Sequence, residues 1–103
     1  MPGQRTSLMK AIHALLAQEP TRTPLADVED VLTSGYAYAL SLEAQQLRLE
    51  RQLRALALER DASSDPAEAA DLTERLAKVE RELVPLRAAL VTLRDRAREL
   101  RAA

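Results

Sequence analysis

Residues 53–76 read LRALALERDASSDPAEAADLTERL, and this stretch decides the fold. Into its left end leucines recur at 49, 53 and 56; at its right end they recur at 72 and 76. Between them, Ala62-Ser63-Ser64-Asp65-Pro66 interrupts both patterns. Asp65 is a good N-cap for a helix whose first position is Pro66, and Glu68, three residues on, supplies the reciprocal half of a capping box. One long helix therefore ends here and another begins, with residues 62–65 as the turn. Two long helices joined by so short a link fold back antiparallel.

Working upstream, the apolar seam of the first long helix is Leu25, Val28, Leu32, Gly35, Ala39, Leu42, Gln46, Leu49, Leu53 and Leu56. Working downstream, the second is Ala69, Leu72, Leu76, Val79, Leu83, Leu86, Leu90, Leu93, Ala97 and Leu100. Both alternate steps of three and four without a slip, which is a heptad repeat. If residues whose numbers sum to 128 or 129 lie opposite each other, Leu42 meets Leu86, Ala39 meets Leu90, Gly35 meets Leu93 and Leu32 meets Ala97. Small residues then face large ones, which keeps layer volume nearly constant. The same register sets Glu29 beside Arg101 and Glu43 beside Arg87, but also Glu50 beside Glu80, an unfavourable pair that Arg51, Arg54 or Arg81 can neutralise.

Further upstream, Thr23-Pro24 starts the first long helix, followed by Asp27, Glu29 and Asp30 near the positive end of its dipole. Before it, Leu8, Ile12, Leu15 and Leu16 mark one face of a short helix that stops ahead of Pro20. The expected organisation is a single all-α domain over 1–103: a flexible tail (1–5), a short helix (6–19), a connector (20–23), a long helix (24–61), the turn (62–65) and a second long helix (66–101). In shape, such an antiparallel coiled-coil hairpin resembles small bacterial adaptors and secretion-type helical hairpins. The Trp-x-Gly turn of the small secreted hairpins is missing, since the chain has no Trp and turns at Ser63-Ser64-Asp65-Pro66.

Composition narrows the function classes. Of 103 residues, 63 are Ala, Leu, Arg, Glu or Lys, the signature of long helices. Two Gly, no Asn and few β-branched residues leave little for strands or hairpin turns. No Cys and one His exclude thiolate chemistry, Cys-ligated zinc and multi-histidine metal sites. No phosphate-cradling glycine loop or nucleophile elbow occurs, so the expectation is a non-enzyme without a cofactor. A net charge of −1 produces no field that favours nucleic acid or an anionic membrane. With no signal-peptide pattern and no apolar run of about 20 residues, a cytoplasmic protein is expected. Thirteen Arg against two Lys, with abundant Ala, suits a high-GC genome.

Outside the seams lies a second apolar stripe: Leu40 and Leu47 on the first long helix, Val84 and Val91 on the second. A two-helix hairpin cannot bury these positions, and the short helix spans only one end of them. Self-association into a dimeric helical bundle is the simplest account, with docking of a helical protein partner as the other. Tyr36 and Tyr38, beside Gly35, either anchor a partner or cover the docked short helix. Arg94, Arg98 and Arg101 offer a rival site, a small anionic ligand at the Arg-rich bundle end, although Asp95 and Glu99 interleave with them. Gln46 is the one polar residue of its seam, His13 is expected to be partly buried, and Pro85, which removes the hydrogen bond to the Arg81 carbonyl, is expected to curve its helix.

Overall fold

The structure, a computed structural model, describes residues 2–19, 24–59 and 66–102, with side chains from residue 6 onward. It is all-α: α1 (Pro2–Ala17), α2 (Leu25–Leu58) and α3 (Pro66–Ala102), with no strand among the described residues. Helix α1 starts at Pro2 and not at Thr6, so the expected flexible tail is helical backbone from Pro2 onward. Proline suits a first helical position because its φ is preset and its missing N–H has no partner there in any case. Helix α2 stops at Leu58, three residues short of the expected Asp61, and its last turn closes with Glu59 N–H donating to the Ala55 carbonyl at 3.1 Å. The seam ends at Leu56, and Leu58 is 80% exposed, so no apolar contact extends the helix. The connector at 20–23 with its Thr23 cap, and the turn at 62–65 with Asp65, lie outside the described residues. Helix α3 runs unbroken through Pro85.

The contacts gather into two compact units, Met1–Ala39 with Pro85–Ala103, and Leu40–Val84. The first unit holds α1, the N-terminal part of α2 and the C-terminal part of α3. Its core is Ile12 and Leu15 from α1, Val28, Leu32, Gly35 and Ala39 from α2, and Leu86, Leu90, Leu93 and Ala97 from α3, all buried. Three helices surround this core, and each fully buried aliphatic side chain contributes roughly 1.5–3 kcal/mol relative to exposure. A helix of 16 residues is marginal by itself, so α1 owes its order to Ile12 and Leu15. α2 and α3 run antiparallel here: Glu29 meets Arg101 at 3.6 Å, while Gly35, further along α2, meets Leu90, further back along α3.

At Gly35 the closest approach comes from Leu90, which the expected register sets opposite Ala39. The atoms nearest to where a Gly35 β-carbon would stand all belong to Leu90, with Cγ at 3.5 Å and Cδ1 at 3.6 Å, and none to Leu93. Without a side chain at 35, the position is a hole that the Leu90 knob enters, and knobs fill holes between residues instead of stacking on a single opposite number.

The second unit is a two-helix hairpin. It buries Leu42, Leu72, Val79 and Leu83, whereas Leu49, Leu53, Leu56 and Leu76 of the same seams are only half-buried. Two helices cover one side of each seam, and only a third could close over the rest. Three exposed threonines in α2 and α3 donate back to carbonyls four residues earlier: Thr33 to Glu29, Thr73 to Ala69 and Thr92 to Ala88, at 3.0, 2.8 and 3.1 Å.

Candidate functional site

Helix α2 carries Leu40 and Leu47 seven residues apart on one side, 65% and 47% exposed. On α3, Val84 and Val91 are likewise seven apart, 68% and 46% exposed. A spacing of seven returns to nearly the same helix face, so each pair forms a short stripe. Leu58 was not anticipated; it lies eleven residues beyond Leu47, about three turns, and extends the α2 stripe to the end of that helix. Its spacing was the available signal. Helix α1 packs in the first unit and leaves Val91 half in solvent.

The two tyrosines part company. Tyr36 is 43% exposed, whereas Tyr38 is half-buried and engaged within the chain. Of the pair, Tyr36 is the one a partner can reach. Gln46 is half-buried in its seam, and His13 lies on the exposed side of α1 and not in a partly buried position, because Ile12 and Leu15 face the core instead.

The arginine end is largely committed to the chain's own oxygens. Arg96 places Nη1 3.2 Å from the backbone carbonyl of Gln18, just beyond the end of α1. Helix C-termini leave carbonyls without partners and carry partial negative charge, so a guanidinium there acts as a cap supplied from another helix. The Gln18 N–H meanwhile donates to the Leu15 carbonyl at 3.3 Å, tightening the last turn. Arg101 pairs with Glu29 at 3.6 Å, as the register predicts, and Arg94 lies 3.9 Å from Asp95. Arg98 is exposed. Among the described residues, no group of three or more His, Cys, Asp or Glu is placed to hold a metal ion, and no helix is long and apolar enough to cross a membrane.

No family model, curated protein or solved structure matches the chain. The site is therefore defined by its own geometry: exposed aliphatic side chains at helical spacing on α2 and α3.

Proposed function

We propose that the protein is a cytoplasmic, non-enzymatic protein–protein interaction module, a coiled-coil adaptor or regulator that self-associates through the outer stripe of Leu40, Leu47, Val84 and Val91. The observation that supports it is the exposure of these four large aliphatic side chains, between 46% and 68%, on helices whose heptad seams face inward. Large aliphatic side chains left in solvent at helical spacing suit a protein contact. The alternative, a small anionic ligand held by Arg94, Arg98 and Arg101, draws less support, because Arg94 and Arg101 each have a carboxylate of the chain within 3.9 Å.

Sedimentation equilibrium tests the reading. The expected mass is twice 11.4 kDa, falling to a single chain in a Leu40→Glu, Val84→Glu double variant whose helicity by circular dichroism is unchanged. A wild-type chain that stays single at every concentration overturns the homodimer and turns the stripe over to a helical protein partner.

A further inference from the structure

The outward side of α2 is self-complementary. At about 100° per residue, positions 36, 40, 43, 47, 51, 54 and 58 fall within about 40° of the direction of Leu47. They hold Tyr36, Leu40, Glu43, Leu47, Arg51, Arg54 and Leu58, separated by steps of four, three, four, four, three and four. That series is the same from either end, with Leu47 at its centre.

We infer that a second copy of the chain docks antiparallel on this face, α2 against α2, about a two-fold axis at Leu47. This rests on the self-association proposed above and narrows its contact to the α2 half of the stripe, with Val84 and Val91 of α3 outside it. A two-fold contact presents one surface to itself, so each position meets its mirror position in the series. Leu47, 47% exposed in the single chain, then meets the partner's Leu47. Leu40 lies under the methylene stem of the partner's Arg54, whose charged head reaches solvent. Glu43 meets the partner's Arg51, and the symmetry makes that ion pair twice. Glu43 is half-buried and already engaged within its own chain, but a carboxylate accepts from several donors, so the two contacts are compatible. A parallel arrangement would set Glu43 on Glu43, Arg51 on Arg51 and Arg54 on Arg54. Like charges in those places oppose that pairing and select the antiparallel one.

A charge exchange tests the axis. Glu43→Arg alone places Arg against Arg51 at both symmetric positions, and Arg51→Glu alone places Glu43 against Glu. Each variant by itself is expected to dimerise at least about tenfold more weakly than wild type, and an equimolar mixture of the two to recover the wild-type affinity, since both cross-pairs become Arg–Glu again. Failure of the mixture to recover, or single variants that dimerise like wild type, overturns the arrangement. Leu47→Cys, in a chain otherwise without cysteine, supplies a second measurement: the axis brings the two thiols together, and mild oxidation is expected to give a covalent dimer. Absence of that product from a protein that sediments as a dimer also overturns the arrangement while leaving self-association standing. A wild-type chain that never dimerises defeats both.

Discussion

The side chain of Leu90 occupies the volume that a β-carbon on Gly35 would need. Glycine inside a helix is unfavourable by about 1 kcal/mol relative to alanine, so Gly35→Ala would ordinarily stabilise α2. Here the added methyl presses on a leucine that is 2% exposed, and overpacking a filled core costs about 1–3 kcal/mol. Gly35→Ala is therefore expected to lower stability in urea unfolding. In a Leu90→Ala background the crowding is gone, and the same substitution is expected to raise stability by up to about 1 kcal/mol. A Gly35→Ala chain more stable than wild type would refute the close approach.

Arg96→Ala removes the guanidinium from the Gln18 carbonyl. The expected loss is about 1–2 kcal/mol, and it should appear as faster amide hydrogen exchange in α1 above all, because the cap acts at that helix end. Arg96→Lys keeps a charge but not the planar fork and is expected to restore part of the protection. Uniform loss of protection across α2 and α3, with α1 unaffected, would count against the cap.

Pro85→Ala restores a backbone donor to the Arg81 carbonyl at an exposed position of α3. Since interior proline is unfavourable by about 3 kcal/mol in a helix, the variant is expected to melt several degrees higher. An unchanged or lower melting temperature would mean that the local backbone is shaped around the proline.

Equal truncations should report the different burial in the two units. Leu93→Ala empties a site that is 0% exposed and is expected to cost about 2–5 kcal/mol. Leu56→Ala, at a half-buried position, should cost less than half as much, since less apolar area is removed from water. Equal losses, measured by chemical unfolding, would contradict the burial pattern.

Both heptad seams were legible because periodicity is a property of neighbours along the chain: each expected seam position that lies within the described helices is buried or half-buried. The outward positions of Leu40, Leu47, Val84 and Val91 followed from the same periodicity, and they are exposed. Pairing arithmetic did not anticipate that Leu90 reaches Gly35, since it treats every residue as a peg of equal length, and a residue without a side chain admits the neighbouring knob. The role of Arg96 left no local trace. Its partner is a backbone carbonyl far away in sequence, and nothing in the spacing of Arg94, Arg96 and Arg98 distinguishes a cap from a solvated flank. The partition into two units also escaped the seams, which run evenly through the point where α1 stops contributing a third wall.

The bond from Arg96 to the Gln18 carbonyl joins positions 78 residues apart. At a synthesis rate of about 5–20 residues per second, α1 leaves the ribosome about 4–16 s before the arginine that caps it. During that interval Ile12 and Leu15 have no α3 to bury against, so the nascent chain offers the cell's chaperones two aliphatic side chains that the folded protein buries.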